Sequence, residues 1–315
     1  MYQQRKSYAK GTTENAMLKL ALNGSYGASN DQFSPLYDPM FTMKITINGQ
    51  LSLCMLAEKL LEIEGLKMIQ CNTDGLTYYC KKEDDERAQK ICDEWCNITK
   101  LDLERADYSK MPIRDVNNYV AVYTNGDKKC KGAYEYEGLG WNKNHSALII
   151  PRAASLFLIN GTPIEETINN HDDKFDFMFR TKVPRSSRLI SVDEFGIESD
   201  EQNTCRYYVS KEGVELVKIM PPIEGKNKIE TTWRKPETGE ELVTTKKPTR
   251  KGFTEKVKEV VLPPEERRIG IQSGQKVVTC NNIKNYKGDI DRQFYIDQAN
   301  KLVEELMNNE KNCNP

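Results

Sequence analysis

The sequence predicts an α+β fold in which helices cover one face of an antiparallel sheet. Helix-forming runs alternate with short strand-like runs over the first 160 residues, with apolar residues recurring at helical spacing. An Asp-Gly pair between two strand-like runs indicates a hairpin. Helix, hairpin, helix and strand follow one another in that order, which is typical of a layered α+β domain.

Composition limits the possible functions. The chain has 315 residues, enough for two domains, and 46 Lys+Arg against 47 Asp+Glu, so any basic surface must be local. No run approaches the ~20 apolar residues of a membrane span, so we expect no membrane partner. The nine cysteines are odd in number and no hydrophobic leader precedes them, which favours reduced thiols and a cytoplasmic location. Cys92 and Cys96 are interpreted as small buried residues rather than zinc ligands.

Two helices are predicted first. Thr12 and Thr13 precede a helical run over residues 14–23, which Gly24 and Gly27 are expected to end. A second helix is predicted over residues 47–64, stopped by Gly65. Its core-facing stripe is expected to contain Leu51, Cys54, Met55, Ala57, Leu60 and Leu61.

The hairpin follows. LKMIQ and LTYYC are strand-like runs joined by CNTDG, which places Asp74 at an exposed tip. Residues 84–100 form an amphipathic pattern with Ala88, Ile91, Trp95 and Ile98 on its apolar side. NYVAVY, residues 118–123, is a further strand, ended by a turn at residues 125–127.

The later part of the chain is more mixed. A helix is predicted around residues 150–158, then short strands such as RYYVSK and KVVTCNN, and a final helix over residues 291–305. The span 226–258 holds ten Lys+Arg and five Glu, a balance compatible with contact to a phosphate backbone. A solvated loop or an extended hairpin is an equally good interpretation of this span.

Two sets of residues could carry chemistry. Lys19, Asn23 and Tyr26 share one helical face, extended by Thr12 and Asn15, and could cradle a nucleotide's phosphates and base; a solvated face is the alternative. The carboxylate of Asp74 at a tight tip could meet Mg²⁺ and a triphosphate, although two-metal chemistry needs a second acid. An ordinary turn is the alternative there.

Order and spacing join these two sets. KLALNGSYG, residues 19–27, resembles the K-x-x-x-N-S-x-Y-G motif of family B DNA polymerases. CNTDG, residues 71–75, resembles their Y-x-D-T-D-S motif, in the N-T-D-G form similar to phage-type members. The intervening SPLYDPMF and KITINGQLSLCMLA also resemble the family's helix between these motifs, and RDVNNY at 114–119 lies where the family carries K-x-Y. The resemblance covers residues 1 to about 160.

The resemblance implies roles for individual residues. Lys19 would neutralise the triphosphate of an incoming dNTP, Asn23 and Tyr26 would line the nascent base pair, and Asp74 would ligate two catalytic Mg²⁺ ions. Tyr119, with Lys131, would hold the primer terminus. A second triphosphate contact is expected among Arg5, Lys6 and Lys10.

The chain departs from the family pattern at several positions. Gly24 replaces a Ser, Asn72 replaces the first Asp of D-T-D, and Gly75 replaces the Ser that follows the second Asp. Asn117 stands where K-x-Y has its Lys, which leaves Tyr119 as the firmest part of the primer grip.

The resemblance also implies a domain order, namely a partial polymerase right hand. Residues 1–27 would be the C-terminal part of the fingers, 28–150 a palm with an antiparallel sheet covered by helices, and 151–315 a mixed α/β thumb with a basic insertion at 226–258. The family's first catalytic Asp lies in a D-x-x-S-L-Y-P motif, and none precedes Lys19.

These expectations define one main hypothesis and two alternatives. The chain is predicted to be the C-terminal portion of a DNA-directed DNA polymerase, a nucleotidyltransferase of viral or phage DNA replication acting in a host cytoplasm. Its expected partners are primer-template DNA, dNTPs and an upstream polypeptide with the exonuclease and the first palm motif. A non-catalytic DNA-binding polymerase remnant is the alternative; a reverse-transcriptase-like palm is weaker because Gly75, not an acid, follows Asp74.

Overall fold

The protein is mixed α+β, and all strand pairs in the described residues are antiparallel. The computed structural model describes residues 1–140, 143–224, 227–249 and 251–312. Their contacts divide the chain into unit 1, residues 1–107, and unit 2, residues 108–315. This boundary lies inside the segment predicted as palm, and the assignment of segments to parts of a polymerase hand stays a prediction.

Unit 1 combines helices with one hairpin. Its elements are α1 (Tyr2–Lys6), α2 (Thr13–Ser29), α3 (Pro39–Leu61), β1 (Lys67–Cys71), β2 (Leu76–Tyr79) and α4 (Asp85–Thr99). Thr12 caps α2, since its hydroxyl accepts a hydrogen bond from the backbone N–H of Asn15 at 3.3 Å. The predicted N-terminus of this helix is therefore confirmed.

The prediction that Gly24 and Gly27 end the first helix is wrong, because α2 continues to Ser29. A glycine inside a helix costs only about 1 kcal/mol relative to alanine. The Ser29 hydroxyl lies 2.6 Å from the Thr42 hydroxyl of α3, which holds the last turn of α2 in place. A tertiary contact thus overrides the local helix propensity.

The second helix starts earlier than predicted. Asp38 caps α3 by accepting a hydrogen bond from the Phe41 backbone N–H at 3.0 Å, and Pro39 occupies the first turn, where proline fits. Leu56 and Leu60 are its buried side chains. The predicted stripe is wrong at three positions that are exposed, namely Leu51, Cys54 and Leu61.

The core of unit 1 lies where α3 and α4 pack with the hairpin. Leu56, Leu60 and Trp95 are buried there, and the Trp95 indole N–H donates to the Ser52 carbonyl at 2.7 Å. The amphipathic prediction for α4 is confirmed except at Ile98, which is 71% exposed in the last turn. Cys92 and Cys96, which were predicted to be buried, pack against this core but are only half-buried.

Unit 2 contains helices and strands in three sheets of the described residues. Its helices are α5 (Ile149–Asn160), α6 (Ile164–Asn169) and α7 (Arg292–Asn312). Its strands are β3 (Tyr108–Lys110), β4 (Ile113–Asp115), β5 (Asn118–Tyr123), β6 (Lys128–Lys131), β7 (Phe179–Lys182), β8 (Arg188–Val192), β9 (Glu198–Glu201), β10 (Thr204–Met220), β11 (Lys228–Arg234), β12 (Glu241–Thr244), β13 (Glu255–Leu262), β14 (Arg267–Gly270) and β15 (Val277–Thr279). The predicted bounds of β5 are confirmed.

The first two sheets of unit 2 are each built around a different central strand. In the first, β5 pairs with β6, and also with β3 and β4. In the second, the long strand β10 pairs with β7, β8, β14 and β15, while β9 extends the sheet from β8. The main core lies among β5, β10 and the helices α5, α6 and α7. Tyr295 is fully buried in it, with its hydroxyl donating to the Phe177 carbonyl at 2.7 Å.

The third sheet is formed by the predicted basic span. Strands β12, β11 and β13 pair in that order, so the extended-hairpin interpretation is confirmed for the described part of this span. Lys226 and Arg250 of the same prediction lie outside the described residues. The chain leaves the second sheet at Met220, the end of β10, and rejoins it at Arg267, the start of β14. These two residues are direct partners across β10 and β14.

Candidate functional site

The predicted nucleotide-binding residues lie on the exposed side of α2. Lys19, Asn23 and Tyr26 are all exposed, and their spacing places them on one face of the helix. The Tyr26 hydroxyl lies 2.8 Å from the Thr46 hydroxyl of α3, which fixes the orientation of its ring. The Lys19 ammonium, the Asn23 amide and the exposed part of the Tyr26 ring are accessible to a ligand, whereas the Tyr26 hydroxyl is already hydrogen-bonded.

Two residues of the predicted stripe have structural roles instead. Thr12 is the N-cap, and Asn15 is buried. The Asn15 amide donates to the carbonyls of Arg5 and Tyr8, at 3.2 and 2.9 Å, and so ties the segment before α2 to the helix. The stripe available to a nucleotide is thus shorter than the sequence predicts.

The three basic residues before α2 differ in their partners. Lys6 pairs with Asp102 at 2.8 Å, and this hydrogen bond raises the pKa of Lys6 and lowers that of Asp102. Lys10 lies 3.3 Å from Glu104. Arg5 donates to the Asn15 side chain and forms no ion pair with any described residue. Arg5 is therefore the one of the three whose charge is not shared with an acid.

Asp74 occupies the predicted tip of the β1–β2 hairpin. The Asn72 backbone N–H donates to the Gly75 carbonyl at 3.0 Å, which puts Thr73 and Asp74 in the centre of the turn. The Asn72 side chain accepts a hydrogen bond from the Asp74 backbone N–H at 3.1 Å. Asn72, which replaces an acid of the family motif, thus shapes the turn. The Asp74 carboxylate is exposed and forms no hydrogen bond or ion pair with the described residues.

The side chains around this tip do not by themselves fit a two-ion Mg²⁺ site. The carboxylate of Asp74 is a suitable hard oxygen ligand. Within the described residues, however, no three His, Cys, Asp or Glu side chains come together as a metal-binding group. A second acidic ligand would have to come from outside them, and no reaction step through the metal can be derived from this chain alone.

The β1–β2 hairpin has polar groups without hydrogen-bond partners among the described residues. Gln70 in β1 is only 7% exposed, yet its side-chain oxygen has no hydrogen-bond donor among the described residues. Within the described residues, β1 and β2 pair only with each other, so both outer strand edges are free. The outer edge of each strand thus offers unpaired backbone N–H and C=O groups to which a further strand could bind.

The surface of α2 and the first half of α3 is unusually apolar. The residues buried between positions 13 and 51 are the polar Asn15 and Ser29. Leu20 is 73% exposed and Phe33 is 87% exposed. Further exposed apolar side chains in this segment, which we call the α2–α3 surface, are Met17, Leu36, Tyr37, Met40, Phe41, Met43, Ile45, Ile47 and Leu51. A segment that exposes this many large apolar side chains is typical of a protein interface.

The predicted primer-binding residues are neighbours in unit 2. Tyr119 of β5 pairs directly with Lys131 of β6, so their side chains lie side by side on one face of the sheet. Lys131 lies 3.7 Å from Glu135, whose pKa is lowered, chiefly by a hydrogen bond from Lys143. Because Glu135 pairs with both Lys131 and Lys143, one carboxylate faces two ammonium groups, and a net positive charge remains beside Lys131 for a ligand.

Gly132 explains how this pair is positioned. Its φ of +61° is left-handed, and a Cβ there would lie 2.9 Å from the Asn118 Cγ and closer still to the Asn117 carbonyl oxygen. The Asn118 side chain accepts a hydrogen bond from the Ala133 backbone N–H at 2.8 Å. Asn117 itself is exposed in the turn before β5. Because its amide is uncharged, it cannot act as the cation that the K-x-Y motif has at this position.

The charge of the basic span is unevenly distributed. Ion pairs neutralise part of the strands: Arg234 with Glu241 at 2.7 Å, and Lys256 with Glu259. The lysines without an ion pair to a described residue are Lys235, Lys246, Lys247, Lys251 and Lys258. The basic excess therefore lies mainly in the connection between β12 and β13, a distribution that a count over the span does not reveal.

The predicted site residues thus fall into two groups. Lys19, Asn23, Tyr26 and Asp74 belong to unit 1, and no hydrogen bond or ion pair of the described residues links Asp74 to the other three. Tyr119 and Lys131 belong to unit 2. Sequence reasoning missed Tyr108, Tyr123 and Lys129, which share a sheet face with Tyr119; alternation along β5 was the available signal. Neither a scan against protein-family models nor a search of curated proteins finds a match to this chain.

Proposed function

We propose that the chain is the C-terminal portion of a family B DNA-directed DNA polymerase of phage type, acting in the cytoplasm. It would add dNMP to a primer 3′-hydroxyl together with an upstream polypeptide that supplies the first catalytic Asp. The observation that carries the proposal is the ordered pair of motifs at residues 19–27 and 71–75. The exposed Asp74 carboxylate, which has no ion-pair partner among the described residues, and the exposed Lys19, Asn23 and Tyr26 support it.

The residues have separate roles in this proposal. The primer 3′-hydroxyl oxygen would attack the α-phosphate of the dNTP, the bond to the β-phosphate would break, pyrophosphate would leave, and the hydroxyl proton would pass to solvent. This step needs positioning and charge neutralisation more than covalent help from the protein. Lys19 supplies positive charge to the triphosphate, and Tyr26, held by Thr46, presents its ring to the nascent base pair. Asp74 supplies one of the carboxylates that Mg²⁺ requires, and the upstream polypeptide supplies the other. Tyr119 and Lys131 hold the primer end.

The proposed polypeptide partner is supported by three features of unit 1. The α2–α3 surface exposes large apolar side chains. Among the described residues, no strand pairs with either outer edge of the hairpin, and no donor reaches the buried side-chain oxygen of Gln70. Five charged residues between positions 13 and 51, namely Glu14, Lys19, Asp31, Asp38 and Lys44, leave this segment nearly neutral. A nearly neutral apolar surface suits a polypeptide better than a phosphate backbone.

Primer extension tests the proposal. We expect no extension by this chain alone and extension when it is mixed with the polypeptide that ends in the D-x-x-S-L-Y-P motif. Asp74→Asn keeps the turn's shape but removes the charge, and should lower the rate about a hundredfold or more. Glu86→Gln, an equally exposed acid of unit 1, is the matched control. Activity of the chain alone, or an Asp74→Asn rate equal to that of the control, would refute the proposal.

A second candidate is a DNA-binding polymerase remnant without catalysis. The lysines between β12 and β13 that form no ion pair with a described residue favour it, because phosphate contacts need no second catalytic acid. It predicts duplex binding that weakens steeply with salt and no extension with any upstream polypeptide. Replacing Lys246, Lys247 and Lys251 together by alanine should reduce the salt dependence of that binding; an unchanged slope would exclude this surface as the contact.

A further inference from the structure

The sheet centred on β5 carries tyrosines and lysines together on one face. Tyr119, Ala121 and Tyr123 alternate on this face of β5, and the register places Lys131 opposite Tyr119 and Lys129 opposite Ala121. Tyr108 of β3 lies opposite Tyr123, with ring centroids 5.0 Å apart. We call Tyr108, Tyr119, Tyr123, Lys129 and Lys131 the tyrosine–lysine face.

The opposite face of the same strands is already occupied. Val120 and Cys130, which are direct partners on that face, pack into the main core of unit 2. Lys128, the neighbour of Lys129, also lies on that side, where its ammonium donates to the Tyr136 hydroxyl at 2.9 Å. Ala121, which lies between the tyrosines on the tyrosine–lysine face, is fully buried, whereas Lys129 is exposed and the side chains of Tyr119, Tyr123 and Lys131 are half-exposed. Packing of the core therefore does not account for these tyrosine and lysine side chains.

The composition and spacing of this face suit a single nucleic-acid strand. Residues two apart on a strand are about 7 Å apart, so Lys129 and Lys131 are separated by a distance comparable to that between successive phosphates. Lys129 is exposed and forms no ion pair with any described residue. Tyrosine rings offer flat surfaces on which bases or sugars stack irrespective of sequence.

We propose that the tyrosine–lysine face binds a single nucleic-acid strand, with Lys131 and Lys129 on successive phosphates and Tyr123, supported by Tyr108, stacking on the strand. The inference rests on the proposed function only in identifying this strand as the primer. The resemblance places Tyr119 and Lys131 at the primer end; Tyr108, Tyr123 and Lys129 extend that contact by about two nucleotides along β5.

The test is binding of a fluorescein-labelled oligothymidylate to the full chain, followed by fluorescence anisotropy at several salt concentrations. Lys129→Ala should weaken binding about three- to tenfold at low salt and reduce the slope of log affinity against log salt by about 0.7, the value for one phosphate contact to a single strand. Lys128→Ala, the neighbouring charge on the other face, is the matched control and should leave the slope unchanged.

A second pair of variants separates stacking from charge. Tyr123→Leu keeps apolar bulk but removes the aromatic ring, and should weaken binding about tenfold. Tyr123→Phe keeps the ring and should bind like the wild type. Equal losses for Lys129→Ala and Lys128→Ala, or wild-type binding by both Lys129→Ala and Tyr123→Leu, would overturn the inference.

The outcomes also separate this inference from the proposed function. Oligothymidylate binding that depends on Lys129 and Tyr123, without primer extension in the presence of the upstream polypeptide, would support strand binding by the tyrosine–lysine face and refute the polymerase proposal. If primer extension at subsaturating primer is equally fast for the wild type, Lys129→Ala and Tyr123→Leu, the polymerase proposal is supported and strand binding by the tyrosine–lysine face is refuted.

Discussion

Gly132→Ala offers the sharpest test of the geometry beside Lys131. An alanine in the left-handed region costs about 1–2 kcal/mol. The added Cβ would also collide with the Asn118 side chain and the Asn117 carbonyl oxygen. Relieving such a collision costs a further 1–3 kcal/mol or so, and it would disturb the 2.8 Å hydrogen bond from the Ala133 N–H to Asn118. We therefore expect a loss of about 3–5 kcal/mol in the free energy of unfolding of unit 2.

Gly138→Ala is the matched control for this prediction. Gly138 has a φ of +64°, close to that of Gly132, but a Cβ there would meet no atom of the described residues within 4 Å. It should cost only the backbone strain, about 1–2 kcal/mol. The assay is urea unfolding of the full chain, with hydrogen exchange measured on the peptide covering residues 118–131. Equal losses for the two variants would show that the close approach of Gly132 to Asn118 is not a feature of the folded protein.

Three further predictions concern stability. Thr12→Ala should cost unit 1 about 1 kcal/mol by removing the cap of α2, with Thr13→Ala nearly neutral, as measured by urea unfolding. Trp95→Phe should cost about 1–2 kcal/mol, because the half-buried Ser52 carbonyl loses its indole donor; an unchanged midpoint would contradict that hydrogen bond. Burial of Asp289 opposes its ionisation, but hydrogen bonds, led by the Ser210 hydroxyl, outweigh this and lower its pKa below the ordinary 3.8. Its stabilising effect is thus complete above about pH 4 and lost as the pH falls through the lowered value; the stability gap between wild type and Asp289→Asn should shrink between pH 5 and pH 2 in thermal melts, and a constant gap would contradict the assignment.

Local signals in the sequence predicted the elements whose causes are local. The Thr12 cap, the hairpin at Asp74 and the strand at residues 118–123 depend on neighbouring residues and were all found. The end of α2 depends on the hydrogen bond between Ser29 and Thr42, which sequence spacing does not show. The early start of α3 was readable from Asp38 followed by proline, but the helix-weakening residues after it concealed the signal.

The candidate site was predictable in its residue types more than in its arrangement. Motif spacing indicated Tyr119 and Lys131, but their adjacency follows from the strand register, which depends on the turn at residues 125–127 and on Gly132. The excess of lysine and arginine over glutamate in the basic span could likewise be counted from the sequence. Which lysines keep their charge free depended on cross-strand pairs such as Arg234 with Glu241, and these require the sheet.

The direct pairing of Met220 with Arg267 makes the segment between them separable from the sheet that it leaves. Residues paired across antiparallel strands lie about 5 Å apart, a gap that a two-residue turn can close. Residues 221–266 could thus be exchanged for an Asn-Gly turn while β10 and β14 keep their register. A relative that lacks this segment would keep the same sheet, and an alignment should treat positions 220 and 267 as neighbours rather than interpret the gap as a change of fold.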